Sequence, residues 1–224
     1  MPDFSSFKDM EPEEFVEKML IQGMGAKELS CGYDFTFGKG GAGTTETLCR
    51  VAERHGVRVN VVEPVTLDGE KVSSTRIRQA ILEGKMDEAS RMLGRRFCLR
   101  LKVEHGNCIG RLLDFPTINQ SFPQHHIVPR YGVYSTVVNV AGKLYGGVTN
   151  VGVKPTVGSD RPLSETYILD YSGDLYGQTV EVYFFRFVRP EQKFGSIAEL
   201  KEQIARDKEN VAQEVAQKIY RSEE

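Results

Sequence analysis

The pattern of hydrophobic residues changes near residue 93, and this change constrains the possible folds more than any other feature. Before it, helical segments such as TTETLCRVAERHG (44–56) alternate with short β-like segments such as VRVNVV (57–62). After it, segments rich in β-branched and aromatic residues follow one another, including GVYSTVVNV, ETYILDY and TVEVYFFRFV. The alternation predicts an α/β unit with a parallel sheet, and the later segments predict an antiparallel barrel. We therefore expect two domains, residues 1–93 and 94–224.

Turn signals and a final helix complete the predicted second domain. The segments AGK (141–143) and SGD (172–174) predict tight turns between strands. From Ser196 to about Tyr220 the apolar residues recur with helical spacing. The second domain is thus expected to be a barrel followed by one helix.

Composition and charge exclude several functional classes. The 29 basic and 31 acidic residues nearly cancel, which argues against a nucleic-acid-binding surface. No apolar run approaches the roughly 18 residues of a membrane span, and the acidic start MPDFSSFKDMEPEE differs from a secretory signal. The four cysteines form no C-x-x-C pair and no zinc-ligand spacing with histidine, so we expect reduced thiols in a cytoplasmic protein.

The segment GNCIGRLLDFPTIN (106–119) carries groups suited to phosphoryl transfer. Its glycines would let the backbone approach phosphate oxygens, and its arginine adds a positive charge. The hydroxyl of Thr117 and the side-chain carbonyl of Asn119 are hard oxygen ligands suited to Mg²⁺, and Pro116 fixes the backbone before them. Spacing alone favours a plain hairpin loop, because the P-loop lysine pattern is absent.

A carboxylate in the later segment VKPTVGSDRPLSETYILDY (153–171) is a candidate base. Glu165 is expected to open a strand after a long polar loop, which would put its carboxylate at the barrel mouth. An acidic residue at a strand start is more often simply solvated, so Glu165 taken alone is a weak candidate.

Several segments in order resemble the riboflavin kinase domain of bacterial bifunctional riboflavin kinase/FAD synthetases. They are GRLLDFPTIN, YGVYSTVV, YGGVTNVGVKPTVG, ETYILDYSGDLYGQTVEVYFFRFVRPEQKF and LKEQIARD, which together cover almost all of residues 95–212. The P-T-A-N signature of that family appears here as Pro116-Thr117-Ile118-Asn119. The resemblance implies a six-stranded antiparallel barrel with a packed C-terminal helix, which phosphorylates riboflavin to FMN with Mg²⁺ and ATP.

The resemblance also implies roles for matching positions. Thr117 and Asn119 would hold Mg²⁺-ATP, and Glu165 would accept the proton of the ribityl 5′-hydroxyl. The implied ATP site comprises Gly106, Gly110, Arg111, Pro116, Thr117 and Asn119. Flavin would lie near Arg189 and Glu191, which match a family R-x-E pattern, although a surface ion pair explains these two equally well. Two departures from the family, Ile118 for alanine and Asp114 for glycine, bear on ATP affinity.

The first half resembles the FAD synthetase portion of the same family, a Rossmann-like nucleotidylyltransferase domain. The matching segments are CGYDFTFGKGGAG and VSSTRIRQAILEG. A residual adenylyltransferase site would comprise Gly32, Asp34, Gly38, Ser73, Ser74, Thr75 and Arg76. A serine-rich turn at a helix N-terminus suits phosphate binding, although Ser73 is equally typical of an ordinary helix cap.

The H-x-G-H motif that the superfamily uses for adenylyl transfer is not found in the sequence. We therefore expect a partial first domain, from a shortened gene, a mis-assigned start or a fragment, with little or no FAD synthesis. Its sheet would have an unprotected edge, which predicts either a loose first half or self-association. Three functions follow: a riboflavin kinase, the full bifunctional enzyme, or a non-catalytic flavin-binding fragment. A nucleic-acid-binding barrel is a weaker fourth, and no membrane partner is expected.

Overall fold

The computed structural model describes residues 7–106, 115–153 and 161–220, with side chains in the last helix described as far as residue 215. Contacts divide the chain into two compact units, Met1–Lys71 and Val72–Glu224. Each unit is described by itself below. In the described part of the chain, no helix combines the length and the apolar content that crossing a bilayer requires.

The first unit is a small α/β structure. Helix α1 begins as an α-helical turn (Pro12–Glu14) and continues as a π-helix (Phe15–Gly23). After it come β1 (Glu28–Gly32), α2 (Thr45–Arg54), β2 (Arg58–Val62), β3 (Thr66–Leu67) and β4 (Glu70–Lys71). Strands β1 and β2 pair in parallel, which confirms the predicted parallel sheet. Its core contains Val16, Phe37, Leu48 and Val51, against which Leu29 of β1 and Val59 of β2 pack.

The second unit contains two helices, a six-stranded sheet and a final helix. Its elements are α3 (Ser74–Glu83), α4 (Met86–Leu93), β5 (Phe97–Lys102), β6 (Thr117–Ser121), β7 (Gly132–Val140), β8 (Lys143–Val153), β9 (Pro162–Ile168), β10 (Thr179–Arg189) and α5 (Ile197–Tyr220). Among the described residues the strand order is β5-β10-β7-β8-β9-β6, and every neighbouring pair is antiparallel. An isolated antiparallel bridge between Glu104 and Asn119 brings the two edges together. The predicted six-stranded antiparallel barrel with a C-terminal helix is confirmed.

One of the two predicted turns is a hairpin and the other is not. Ala141 and Gly142 both have positive φ, as a two-residue turn between twisted strands requires, and they join β7 directly to β8. The prediction of a tight turn between strands at SGD (172–174) is wrong, because β9 ends at Ile168 and β10 begins only at Thr179. Strand β9 pairs with β8 and β6, whereas β10 pairs with β7 and β5, so the connection passes between strands that are not neighbours.

Helix α5 covers the outer face of the barrel. Its buried Val211 and Val215 belong to a cluster with Val133 and Val137 of β7 and Val148 of β8. The remaining length of the helix, toward its N-terminus, lies over the end of the sheet where the candidate site is found.

Helices α3 and α4 pack within the second unit. Gly84, which ends α3 with a left-handed conformation, lies against the ring of Phe187 in β10 and the side chain of Arg130. The Arg130 guanidinium also stacks over that ring, 4.4 Å from its centroid. The contacts of Gly84 thus join the end of α3 to the barrel. The sequence placed the domain boundary later, after residue 93, and that boundary stays a prediction.

Candidate functional site

Strand pairing brings Glu165 beside two asparagines. In the register of β6, β9 and β8, Glu165 lies directly opposite Asn119 on one side and Asn150 on the other. Directly paired residues of antiparallel strands point to the same face, with Cβ atoms about 5 Å apart. The expectation that Glu165 opens its strand is wrong, because β9 begins at Pro162 and pairs with both neighbours before Glu165 is reached.

Thr117 shares this face of the sheet. It precedes Asn119 by two residues on β6, and side chains two apart on a strand point the same way. Its register partner on β9 is Tyr167, two residues beyond Glu165. Thr117, Asn119 and Glu165, which the sequence predicts to meet, therefore do lie on one face of two neighbouring strands.

A cavity of about 390 Å³ lies between this face and helix α5. Its apolar wall combines sheet and helix residues, namely Phe115, Val133, Val148, Tyr167, Phe194, Leu200 and Ile204. Its polar groups are Thr117, Asn150, Glu165, Arg189, Glu191, Gln192 and Asp207. A mostly apolar cavity with a few polar groups at one end is typical of a site for a small organic ligand.

A second cavity of about 260 Å³ lies on the other side of Thr117. It is lined by Val103, Pro116, Thr117, Ile118, Ile168 and the loop from Tyr171 to Tyr176. The ring of Tyr176 stacks on His105 with centroids 3.8 Å apart, which ties this loop to the segment after β5. Thr117 is the residue that lines both cavities, so the two adjoin at this position of β6.

Arg189 is held by a buried carboxylate. Its guanidinium donates to both oxygens of Asp207 on α5, with the shortest N–O distance 2.7 Å, and the two side chains are only 16% and 3% exposed. Gln203, one turn earlier on α5, also donates to Asp207. The sequence left open a surface ion pair between Arg189 and Glu191. The structure instead pairs Arg189 with Asp207. The ion pair fixes α5 against the end of β10.

Glu191 lies over strand β8 and is bound by Asn150. Its Oε1 accepts a hydrogen bond from Asn150 Nδ2 at 3.2 Å. Its carboxylate also fills the space above Gly152, where a Cβ atom would overlap it. Gly152 is thus required by a close approach of Glu191 to the backbone, and not by a turn.

Gly106 leaves the space in which the Asn119 side-chain amide packs. A Cβ atom at Gly106 would lie 2.6–2.7 Å from all three terminal atoms of the Asn119 side chain, so the amide packs flat on this glycine. Asn119 Nδ2 also lies 3.5 Å from the carbonyl oxygen of Thr117. Gly110, Arg111 and Asp114 lie outside the described residues, so their expected roles stay predictions.

The oxygen groups near the meeting point of the cavities suit a hard divalent cation. Thr117 supplies a hydroxyl, Asn119 a side-chain carbonyl, and Glu165 a carboxylate on the next strand. Mg²⁺ prefers oxygen ligands and keeps several waters beside one or two protein groups and the phosphates of its substrate. The side chains present therefore fit Mg²⁺ bound together with a nucleotide.

The predicted residual adenylyltransferase residues fall into both compact units. In the first unit, Asp34 forms an ion pair with Lys71 at 2.6 Å, which holds the pKa of the Asp34 carboxyl below its usual value. Gly32 lies close to the Asp34 carboxylate, and Gly38 has a positive φ and packs on Pro12. In the second unit, Ser73 caps α3 by accepting a hydrogen bond from the backbone of Arg76, and Ser74 and Thr75 form its first turn. Ser73 therefore makes the ordinary helix cap that the sequence left open as an alternative.

Sequence reasoning missed several residues of the first cavity. Asp207, Asn150 and the aromatic side chains of Phe115, Tyr167 and Phe194 were not singled out. An isolated aspartate in a helix otherwise rich in charge gives no signal of its burial. Asn150 could have been found, because an asparagine is unusual inside a long β-like segment.

Family models match both parts of the chain. A model described as riboflavin kinase matches residues 93–215, and a model described as FAD synthetase matches residues 2–76. Among curated proteins, the bifunctional riboflavin kinase/FMN adenylyltransferase of Listeria monocytogenes is 33% identical over 92% of this chain and 65% of its own length. The protein of the same description from Pseudomonas fluorescens is 37% identical over 89% of this chain and 64% of its own length. The chain thus spans slightly less than two-thirds of these relatives.

A solved structure has the same fold over most of the chain. A crystal structure described as a macrolide-efflux protein from Streptococcus pneumoniae superposes with a TM-score of 0.82 at 35% identity. It covers 93% of this chain, and the match covers 67% of that protein. That structure is thus described as a macrolide-efflux protein, whereas the curated relatives are described as bifunctional riboflavin kinase/FMN adenylyltransferases.

Proposed function

The chain belongs to the riboflavin kinase family, and from this premise we propose that it transfers the γ-phosphoryl group of ATP to the ribityl 5′-hydroxyl of riboflavin. In this reaction the hydroxyl oxygen forms a bond to the γ-phosphorus while the bond from that phosphorus to the β,γ-bridging oxygen breaks. The products are FMN and ADP, and the hydroxyl proton passes to a base.

The observation that carries the proposal is that two cavities meet at Thr117. A transferase with two substrates needs two adjoining sites, with the donor phosphoryl group at their junction. Glu165 lines the first cavity and belongs to the strand next to Thr117. A carboxylate there is suitably placed to accept the proton of an alcohol held in the first cavity.

The chemical character of each cavity supports the assignment of substrates. The first cavity has three aromatic side chains, Phe115, Tyr167 and Phe194, which suit a planar apolar ring such as a flavin. Polar groups at its end, among them Asn150 and Glu191, suit the ring heteroatoms or the ribityl hydroxyls. The smaller second cavity, beside the segment that carries Thr117, is then the site of ATP.

Mg²⁺ is the cation that we propose for the junction, held by the Thr117 hydroxyl and the Asn119 side-chain carbonyl. When bound, it would neutralise charge on the β- and γ-phosphates. Thr117 and Asn119 position the nucleotide, and Glu165 orients the alcohol and takes its proton. Helix α5 forms one wall of the first cavity through Leu200, Ile204 and Asp207.

The proposal is tested by incubating the chain with riboflavin and Mg-ATP and separating the flavins by chromatography. We expect FMN to form with one ADP released per FMN. Riboflavin that binds, as judged by quenching of its fluorescence, but is never phosphorylated would favour the non-catalytic flavin-binding alternative.

A finer proposal concerns FAD synthesis. The FAD synthetase match over residues 2–76 favours the bifunctional alternative, but the H-x-G-H motif of the superfamily is not found among these 224 residues. We propose that these residues on their own do not adenylylate FMN. Pyrophosphate release from FMN and ATP at a rate near that of FMN formation would contradict this.

A further inference from the structure

We infer that Asn150 is a positioning residue, which holds the Glu191 carboxylate on the wall of the first cavity as a fixed hydrogen-bond acceptor for the ligand. The inference rests on the proposed function, because it assigns the first cavity to riboflavin. It adds a role for an asparagine that neither the family motif nor the sequence pattern singled out.

The first step is the position of Asn150 between two carboxylates. Asn150 on β8 lies directly opposite Glu165 on β9, so their Cβ atoms are about 5 Å apart. On its other side, its amide donates to Glu191 Oε1 at 3.2 Å. All three side chains line the same cavity.

The second step is that the position of the Glu191 carboxylate is restricted. Its carboxylate lies in the space that a side chain at position 152 would occupy. Gly152 provides the space and Asn150 provides the hydrogen bond, so each fixes Glu191 independently of the other. A carboxylate fixed in this way presents its second oxygen to the cavity as a hydrogen-bond acceptor.

Two variants test this role in different ways. Asn150→Leu removes the hydrogen-bond donor, and Gly152→Ala displaces Glu191 while leaving Asn150 intact. The Gly152→Ala change is sterically mild elsewhere, because the overlapping atoms are the far end of the Glu191 side chain and the glycine does not have a positive φ. The measurements are kcat and KM for riboflavin.

The matched control is Asn139→Leu. Asn139 of β7 lies directly opposite Glu181 of β10 and donates to its carboxylate at 3.0 Å, as Asn150 does to Glu191. Neither Asn139 nor Glu181 lines the first cavity as described. This variant removes the same kind of hydrogen bond elsewhere in the same sheet, so it reproduces the general effect on folding.

We expect Asn150→Leu and Gly152→Ala to raise KM for riboflavin about tenfold with kcat little changed. Asn139→Leu should resemble the wild type in both constants. An unchanged KM in both Asn150→Leu and Gly152→Ala, or an equal rise of KM in Asn139→Leu, overturns the inference.

Failure of the proposed function has a different signature. If the wild type makes no FMN, the proposed function fails, and riboflavin affinity measured by flavin fluorescence decides the inference instead. Binding about tenfold weaker in Asn150→Leu and Gly152→Ala than in Asn139→Leu then supports the placement of Glu191. Equal affinity in all of them overturns it, as does a wild type that binds no riboflavin.

Discussion

Glu165 of β9 lies directly opposite Asn119 of β6, in the one antiparallel register that also pairs Thr117 with Tyr167. Side chains alternate along a strand, so a slip of one residue would turn Glu165 toward the barrel interior, where Ser164 and Thr166 are fully buried. The site therefore depends on strand register as much as on the identity of its residues. Features that fix the register, such as the two-residue turn at Ala141 and Gly142, contribute to function from a distance.

Replacing Gly106 by alanine should weaken the use of Mg-ATP. The new Cβ atom would displace the Asn119 amide, which packs 2.6–2.7 Å from that position. We expect KM for Mg-ATP to rise about tenfold or more, with riboflavin affinity retained. Gly195→Ala is the control, because its Cβ atom would meet Glu199 at an ordinary 3.4 Å. Equal KM values in the two variants would refute this role of Gly106.

Removing the Asp207 carboxylate should destabilise the second unit. In Asp207→Ala the buried guanidinium of Arg189 loses its partner, which costs about 3–5 kcal/mol in comparable cases. The control is Glu202→Ala on the same helix, whose pair with Arg206 is 65% and 62% exposed and contributes at most about 1 kcal/mol. Urea denaturation measures both, and similar midpoints for the two variants would argue against a buried pair.

The thiol of Cys98 should make stability depend on alkaline pH. Burial, with a smaller effect of the Glu181 carboxylate, raises the pKa of Cys98 from its usual 9.0 to about 11. A group whose pKa is higher in the folded state stabilises fully below the unfolded pKa and loses that contribution as pH rises. Between pH 9 and 11 the wild type should therefore lose more unfolding free energy than Cys98→Ala, by about 1 kcal/mol because partial exposure of the thiol weakens the effect.

Urea denaturation at several pH values measures that difference. The quantity compared is how much the free energy of unfolding of each protein changes with pH. Parallel curves for wild type and variant would contradict the account of Cys98. Slow alkylation of Cys98 in the folded chain at pH 8, and faster alkylation in urea, should accompany the effect, because the thiolate is the reactive form.

The contacts of α3 predict where a stable fragment of the second unit begins. Gly84, at the end of α3, packs on Phe187 and Arg130, so a fragment of residues 72–224 retains this contact and a fragment of residues 94–224 loses it. We expect the longer fragment to unfold several degrees higher by calorimetry. Equal melting temperatures would show that the domain ends after residue 93, as the sequence pattern suggested.

The elements of the fold could be predicted because their signals are local. Periods of two and 3.6 residues identified strands and helices, and Gly84 and Gly94 end α3 and α4 with positive φ, as glycines at helix C-termini commonly do. The tight turn at SGD (172–174) was mispredicted because a turn signal does not reveal how long the connection around it is. The length is set by which strands pair, and long-range pairing leaves little trace in a short segment.

The site was predicted in part for the same reason. Thr117, Asn119 and Glu165 were found from a motif and a resemblance, but the position of Glu165 within its strand was not. Asp207 was missed because its role depends on a contact with Arg189, 18 residues away in the chain. The close approach of Glu191 to Gly152 was missed likewise, because a glycine in a strand does not reveal which side chain lies over it.

The most direct test of the account is the turnover of Glu165→Gln, with riboflavin affinity measured in parallel and Glu181→Gln as a control carboxylate on the same sheet. The account predicts that Glu165→Gln lowers kcat by about 10²–10⁴-fold while riboflavin still binds, because an amide cannot take up the proton of the alcohol. Glu181→Gln should turn over like the wild type. Wild-type turnover in Glu165→Gln would contradict the central claim that this carboxylate, opposite Asn119, is the base.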